Sequence, residues 1–405
     1  MMTSPYHKST SLPLVVIGSA MAGAALYVGV QKVIMFSRKP PKDAETDPSI
    51  ATEIVWKCIG GALSAAQLHV GDELNLYNVL RECCYDSKDA SVTAITLASR
   101  TGFHQRWLRE WLAHQAALGI LQLLPGTKDD DSALHYRLPR ATSDVLANPS
   151  SPHYNIAMVS LVPSLVQRAH TMLPSAFRTG LGRPYDEPSV TAAIDRQHAV
   201  HIRDVFLPRV VQTVLDGRVH RLLTSGCQVA DLGCGAGNLV RALAVAYPQS
   251  TFHGFEVSAP ALEQATEHTM DLPNVIIHDA NQDPLGDHSF DIVTTLDVLH
   301  DAPNPAVLIH EVRRALGKGG VWLLADIPSR STLRESITDS PMASTYLAFS
   351  TCLCLSCSLS TSDGAGLGTL GFTVPVARRM LIEEGGFATV NVILEDASTR
   401  WFLVQ

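Results

Sequence analysis

The feature that most constrains this chain is an apolar run that leads directly into closely spaced glycines. Residues 229–232 read Val-Ala-Asp-Leu, and Gly233, Gly235 and Gly237 follow at alternate positions before an apolar helical pattern begins. Glycine lets the backbone turn sharply and approach a ligand closely, and the start of the next helix presents free N–H groups. This order is typical of a parallel α/β sheet with a binding site at the carboxyl ends of its strands.

Runs rich in β-forming residues alternate with helical patterns from residue 226 to the C-terminus. This alternation indicates an α/β domain with a seven-stranded sheet that is covered on both faces. The predicted strands are residues 229–232, 251–257, 275–278, 291–296, 321–326, 389–394 and 400–404. Only a few residues, including Asp396 and Ser398, separate the last two strands, so we expect them to form an antiparallel hairpin.

Acidic residues mark the ends of successive strands. Asp231 lies two positions before the first glycine, and the glycine spacing differs from the GxGxxG of dinucleotide sites, which suits the amino acid end of S-adenosylmethionine. Glu256 ends the second strand, where a carboxylate can accept hydrogen bonds from both ribose hydroxyls. Asp279, followed by Ala280, closes the third strand and can accept from the adenine amino group. Three acids in this order predict one continuous cofactor site.

These motifs resemble a known fold family. Residues 226–405 resemble a class I methyltransferase domain, a Rossmann-like fold that ends in a reversed hairpin. The segments 109–117 (REWLAHQAA) and 366–369 (GLGT) resemble a largely uncharacterised winged-helix methyltransferase family with bacterial and animal members. The resemblance implies a cofactor, S-adenosylmethionine, and assigns it the residues Asp231, Gly233, Gly235, Gly237, Glu256 and Asp279, with Ala280 and Asp297 beside them. It implies no particular substrate.

His300 follows the fourth strand, three residues after Asp297, where this fold places the sulfonium methyl. Plant small-molecule O-methyltransferases have a His-Asp pair at this position, and that histidine deprotonates the acceptor hydroxyl. An unperturbed imidazole titrates near about pH 6.5 and is therefore available as a base. The plant pattern continues with Trp, whereas this chain has Ala302 and Pro303. Two interpretations stay open, a catalytic base and a residue that only shapes the pocket or caps the next helix.

Residues 50–150 predict a winged-helix domain. Leu108, Trp111 and Leu112 fall on one helical face, Gly102 separates two helical stretches, and short strands are expected at 121–124 and 135–138 around an acidic loop. The net charge of −8 and the few cations near the helices argue against nucleic acid as a partner. We therefore expect a module for homodimerisation and substrate covering. Residues 151–225 are predicted to be a helical bridge that covers the acceptor, with Tyr154, Arg183 and Tyr185 facing it.

The cysteines and paired histidines outside these motifs do not predict a metal site. Cys352, Cys354 and Cys357 lack a second pair to complete a tetrahedral site, and their apolar surroundings favour thiols packed as small hydrophobic groups. His198 and His201 are three residues apart with no third ligand nearby in sequence, so we interpret them as pocket or surface residues.

The N-terminus carries an uncharged run of 19 residues, Leu12 to Val30. We predict a tail at 1–11, a transmembrane anchor at 12–34 and a linker at 35–49, because an apolar helix of this length spans a bilayer core. Lys32, Arg38, Lys39 and Lys42 follow the run, which places the enzyme domain in the cytosol. A cleaved signal peptide is the alternative.

The sequence thus predicts an S-adenosylmethionine-dependent methyltransferase that acts on an O, N or S atom of a small molecule. The alternative is a membrane-tethered winged-helix regulator that senses the cofactor without catalysis.

Overall fold

A computed structural model describes residues 47–85, 90–125, 134–184, 186–286 and 289–405. The predicted tail at 1–11 and anchor at 12–34 lie outside these residues, as does the linker up to residue 46. Among the helices that are described, none combines the length and the hydrophobicity that crossing a bilayer requires. On this finding the predicted single-pass membrane localisation is wrong.

The N-terminal part is helical, with one small antiparallel sheet. Its helices are α1 Pro48–Glu73, α2 Leu76–Tyr85, α3 Ala94–Thr101, α4 Gln105–Ala117 and α5 Arg140–Leu146. Strands β1 Gln122–Leu123 and β2 Tyr136–Arg137 pair where two short strands were predicted, so this part is not entirely helical. Gly102 ends α3 with a φ of 74°, as a left-handed position after a helix requires. Leu108, Trp111 and Leu112 are at most 5% exposed, which confirms the predicted buried face of α4.

The middle part is a group of short helices that is tied to both of its neighbours. It contains α6 Ala157–Ser160, α7 Val162–Thr171, α8 Leu173–Thr179, α9 Pro188–His201, the π-helical segment Ile202–Val211 and α10 Val214–Ser225. Arg196 of α9 holds Asp72 of α1 with two hydrogen bonds of 3.0 and 3.1 Å. The buried Arg168 of α7 donates to the Cys352 carbonyl at 2.7 Å and pairs with Glu187 at 2.9 Å. These contacts fix the middle helices between α1 and the C-terminal part.

The C-terminal part is built on a seven-stranded sheet of order β5-β4-β3-β6-β7-β9-β8. The strands are β3 Gln228–Leu232, β4 Thr251–Glu256, β5 Val275–Asp279, β6 Phe290–Leu296, β7 Leu316–Asp326, β8 Val390–Glu395 and β9 Arg400–Val404. β3 to β7 are parallel to one another, and β9 runs antiparallel to both β7 and β8. The predicted sheet with its antiparallel final hairpin is therefore confirmed.

Both faces of the sheet are buried, because successive side chains of each strand enter different apolar clusters. One cluster includes Val229, Phe252 and Ile292, and the other includes Ala230, Phe255 and Val293. The helices that follow the strands are α11 Asn238–Ala246, α12 Ala259–Thr269, α13 Pro305–Ala315, α14 Leu333–Asp339, α15 Ala343–Cys352, α16 Cys354–Ser358, α17 Val374–Arg378 and the π-helical segment Arg379–Glu384. The parallel strands consequently end at one common edge, where the predicted site residues lie.

Candidate active site

The glycine turn between β3 and α11 has the backbone that its sequence predicts. Gly233, Gly235 and Gly237 have φ values of 73°, 56° and 83°, a region that other residues enter only with strain. A Cβ added to Gly233 would lie 2.6 Å from Val298 Cγ2, so the turn approaches the segment after β6 very closely. A Cβ added to Gly235 would have no described atom within 4 Å. Gly235 therefore borders open space at the edge of the sheet.

Asp231 is the most enclosed acid of the site. It is 4% exposed, and Thr294 on β6 donates a hydrogen bond of 2.7 Å to its Oδ1. Burial raises the pKa of Asp231 to about 7, although the Thr294 hydroxyl acts in the opposite direction. This carboxyl group therefore gains and loses its proton near neutral pH, and a cationic ligand beside it would favour the ionised form.

Glu256 and Asp279 lie side by side, since they are register partners at the ends of β4 and β5. Glu256 accepts hydrogen bonds from the N–H groups of Gly235, Val257 and Ser258 at 2.8 to 2.9 Å. A carboxylate has about four lone-pair positions, so one acceptor position of Glu256 remains for a ligand.

Asp279 accepts a hydrogen bond from the Asn281 backbone N–H at 3.0 Å, and this bond lowers its pKa. The carboxylate is therefore ionised at neutral pH and serves as an acceptor. The Ala280 N–H donates to the Glu256 carbonyl at 2.8 Å and so holds the ends of the two strands together.

Asp297 occupies a strained position directly after β6. Its φ is 58°, and its N–H donates to the Ala325 carbonyl of β7 at 3.0 Å. Its Oδ2 lies 3.2 Å from His198 Nε2, while its Oδ1 is buried with no hydrogen-bond partner among the described residues. Strained residues with unpaired buried oxygens are often found at ligand sites.

Two residues from distant helices complete this region. His198 of α9 contacts Asp297. Burial and, to a lesser extent, the negative charge of Asp297 raise the pKa of Tyr346 on α15 to about 12. Sequence analysis placed His198 in a pocket or on the surface and gave no signal for Tyr346. His201 packs against Trp401, whose indole N–H donates to its Nε2 at 3.1 Å, and burial lowers the His201 pKa. His201 is therefore a neutral, partly buried residue.

His300 lies between two acids and is 2% exposed. Its Nδ1 is 2.8 Å from Asp326 Oδ1, at the end of β7, and its Nε2 is 3.1 Å from Asp301 Oδ1. Burial opposes the imidazolium, yet the carboxylates of Asp326 and Asp301 outweigh this effect and raise the His300 pKa well above its usual value. Asp326 was predicted as a strand residue, and its contact with His300 was not foreseen.

The cysteine segment is only partly as expected. Cys352 is buried, and burial raises the pKa of the Cys354 thiol to about 11, which agrees with thiols packed as small groups. The Cys354 side chain, however, also reaches His300 and Asp301. Of the acceptor-facing residues expected in the middle helices, Tyr154 accepts a hydrogen bond from Arg196, and Arg183 pairs with Glu187. Tyr185 lies outside the described residues.

The residues at this edge fit S-adenosylmethionine on three observations. Gly235 faces open space, the N-terminus of α11 has no side-chain cap, and Asp297 presents a buried oxygen without a partner. An uncapped helix start accepts a carboxylate, and the acids accept from ammonium, hydroxyl and amino groups. All the predicted cofactor residues lie along this single edge, from Asp279 to Asp297.

Comparisons with known proteins agree with this fold and this site. Residues 223–371 match a family model described as a methyltransferase domain. A ubiquinone biosynthesis O-methyltransferase of Albidiferax ferrireducens is 30% identical over 117 residues, which are 28% of this chain and 45% of that protein. The chain spans less than half the length of the curated relatives that it matches.

Solved structures resemble the chain over most of its length. Human N-acetylserotonin methyltransferase, solved in complex with S-adenosylmethionine, has a TM-score of 0.63 at 17% identity and covers 88% of this chain and 97% of its own. Mitomycin 7-O-methyltransferase has a TM-score of 0.61 at 18% identity and covers 88% of this chain and 98% of its own. The chain therefore has an α/β methyltransferase fold with a helical N-terminal part, and it contains a class I S-adenosylmethionine-dependent methyltransferase domain.

Proposed function

We propose that the protein is an S-adenosylmethionine-dependent methyltransferase that acts on an O, N or S atom of a small molecule. The observation that carries the proposal is the continuous row of ligand-facing groups at the carboxyl edge of the sheet. In the strand order β5-β4-β3-β6, the row consists of Asp279, Glu256, the glycine turn and Asp297. When bound, S-adenosylmethionine supplies a methyl group on a positively charged sulfur.

The division of labour in the cofactor site follows from the geometry. The uncapped start of α11 binds the carboxylate of the amino acid end, and Asp231 accepts from its ammonium group. Glu256 has one acceptor position free for a ribose hydroxyl, and binding both hydroxyls requires it to release one backbone N–H. Asp279 accepts from the adenine amino group, and Ala280 packs beside it. Asp297 fixes the end of β6 near the sulfonium.

The acceptor site lies beyond Asp297, between His198, Tyr346 and His300. Transfer of a methyl group from sulfonium removes charge, so positioning and exclusion of water account for most of the rate increase that we expect. Helix α9 provides part of the enclosure through the contact of His198 with Asp297, and Tyr346 of α15 lies near enough for the Asp297 charge to affect its pKa. This arrangement supports the predicted role of residues 151–225 as a cover.

For His300 both hypotheses remain. A base must take a proton from the acceptor at one ring nitrogen, and both nitrogens already face carboxylates. An acceptor hydroxyl therefore has to replace Asp301 at Nε2, and the ring, whose pKa is raised, has to lose its second proton before His300 can act as a base. A pocket-wall role requires no such exchange.

We also propose the predicted division of the chain into a winged-helix domain at 50–150, a cover at 151–225 and a methyltransferase domain at 226–405. The helix pair α3 and α4 with the β1–β2 sheet supports the winged-helix assignment and the resemblance to that family. Trp56, Ile59 and Leu63 lie on one side of α1 and are 66%, 42% and 64% exposed. An apolar helix face of this kind favours a homodimer through the N-terminal part.

The dimer is tested by light scattering of the purified chain. Leu63→Asp should convert a dimer to a monomer, whereas Val245→Asp, at a residue of α11 that is 62% exposed, should not. A monomeric wild-type protein would contradict the dimer without affecting the proposed reaction.

The reaction itself is tested by incubating metabolite extracts with the protein and methyl-labelled cofactor. A labelled small molecule that requires the intact protein supports the proposal and identifies the acceptor. Cofactor binding by calorimetry without transfer to any extract would instead favour the regulator that only senses the cofactor. Absence of cofactor binding in a folded protein would contradict both.

A further inference from the structure

The surroundings of His300 pose a problem of hydrogen bonding that the proposed reaction does not solve. With Nδ1–H donating to Asp326, the Nε2 lone pair of a neutral ring would face a carboxylate oxygen of Asp301 at 3.1 Å. Two acceptors at this distance repel each other unless a positive group lies between them. A second ring proton, which the raised pKa of His300 favours, satisfies this contact, and a metal ion in place of that proton would satisfy it as well.

Cys354 adds a third possible metal ligand beside His300 and Asp301. One ligand atom each from His300, Asp301 and Cys354 lies within 4.8 Å of the other two, and the cluster is buried. Two ligands at zinc-bond lengths in a tetrahedral site are roughly 3.3 Å apart, or somewhat more when one is sulfur. The 3.1 Å between His300 Nε2 and Asp301 Oδ1 is close to this separation, and Cys354 lies within reach of both.

Asp326 provides an independent observation. A histidine that binds a metal through one nitrogen almost always donates its other N–H to a carboxylate or carbonyl, which sets the tautomer. Asp326 Oδ1 occupies this position at 2.8 Å from Nδ1. Asp326 is 1% exposed, and its Oδ2 is buried without a hydrogen-bond partner among the described residues. Asp326 thus occupies the place of a carboxylate behind a metal-binding histidine.

We propose that His300, Asp301 and Cys354 form a binding site for a transition-metal dication of the zinc class. A thiolate, an imidazole and a carboxylate are the ligands that zinc takes in proteins, and three protein ligands leave a fourth position open. Asp326 is the positioning residue, since it orients the ring and does not touch the ion. The proposal goes beyond the methyl transfer and does not rest on it, but it favours the pocket-wall role of His300, since an ion at Nε2 leaves the ring no nitrogen to act as a base.

Cobalt(II) is the probe, because its thiolate-to-metal charge-transfer band and its visible bands report a sulfur ligand and a four-coordinate site. Chelator-treated full-length protein is titrated with cobalt alone, and zinc is then added to displace it. We expect one cobalt per chain with both sets of bands in the wild type. Cys354→Ser should lose the charge-transfer band. Cys357→Ser, three residues further along the same segment, should retain it.

Asp326→Asn tests the positioning role separately. Loss of a carboxylate behind a ligating histidine typically weakens metal binding by about 10- to 100-fold. We therefore expect a weaker cobalt affinity with an unchanged charge-transfer band. An affinity equal to that of the wild type would overturn the role assigned to Asp326.

Calorimetry with S-adenosylmethionine on the same samples separates this inference from the proposed function and confirms that each variant is folded. If Cys354→Ser does not fold, Asp301→Asn replaces it and should weaken the visible bands. A wild-type protein that binds the cofactor but shows no cobalt bands would overturn the metal site and leave the methyltransferase proposal intact. Equal bands in the wild type and in Cys354→Ser would overturn it as well. Cobalt bands without cofactor binding would contradict only the methyltransferase proposal.

Discussion

Replacement of Gly235 by Ala separates the strain of the turn from the space that a cofactor needs. Gly235 and Gly102 both have positive φ values, 56° and 74°, and a Cβ added to either has no described atom within 4 Å. An alanine in this region costs about 1–2 kcal/mol. Gly235→Ala and Gly102→Ala should therefore lower the free energy of unfolding equally. For a domain of this size, each kcal/mol that is lost lowers Tm by about 2–4 °C.

The two variants should differ in cofactor binding, because only Gly235 faces the edge where the acids converge. We expect Gly235→Ala to weaken S-adenosylmethionine binding tenfold or more, which is about 1.4 kcal/mol, and Gly235→Val to abolish it. Gly102→Ala should bind like the wild type. Calorimetric Kd values and thermal unfolding of the same samples provide the comparison. If folded Gly235→Ala and Gly102→Ala bind the cofactor equally well, the open space beside Gly235 is not the cofactor site.

Three further predictions concern individual side chains. Because burial raises the Asp231 pKa to about 7, the stability that Asp231 contributes is present below the unfolded pKa near about 4 and is lost as the pH rises to 7. Between pH about 5 and about 8, the free energy of unfolding in urea should therefore fall less in Asp231→Asn than in the wild type. An equal fall in both proteins would contradict this. Arg168→Leu should lower the free energy of unfolding in urea by about 3–5 kcal/mol, because it leaves Glu187 and buried carbonyls without their donor. Arg183→Ala removes an exposed partner of the same Glu187 and should lower it by under about 1 kcal/mol. Similar losses in both variants would refute this difference. His300→Ala should leave cofactor affinity within a few-fold of the wild type. It should lower kcat by roughly 10²- to 10⁴-fold if the acceptor is a neutral hydroxyl, and much less if the acceptor is a carboxylate or thiolate. Near-full turnover of a hydroxyl acceptor would exclude the base role.

The strands were predictable because each is a local pattern of β-forming residues that ends in a turn signal. Most strand ends agree within one residue, including β4 at Thr251 and β9 at Arg400–Val404. β7 is the exception, since it begins at Leu316 and not at Val321. Its first residues are Leu-Gly-Lys-Gly-Gly, which read as a loop, and pairing with Phe290 of β6 extends the strand through them. Tertiary hydrogen bonding thus overrides the local propensity.

The cofactor side of the site was predictable for a related reason. Asp231, Glu256 and Asp279 end parallel strands, and the topology alone brings those ends to one edge. His198 and Tyr346 could not be found in this way, because they lie near Asp297 on helices that are 99 and 49 positions away in the chain. Asp326 did carry a usable signal, since it is a further acid at the end of a parallel strand.

Residue type did not determine charge at this edge. Asp231 is enclosed and has a pKa of about 7, while Asp279 accepts from a backbone N–H in an exposed position and has a lowered pKa. A ligand ammonium beside Asp231 would stabilise the carboxylate and so release its proton, whereas a neutral amino group beside Asp279 would change no charge. Asp326 resembles Asp231 in its burial, and it has a buried histidine in place of a hydroxyl as its neighbour. The same residue type therefore exchanges a proton near neutral pH, accepts hydrogen bonds as a carboxylate or orients an imidazole, according to its burial and its partner. These roles follow from the contacts in the folded protein rather than from the motif.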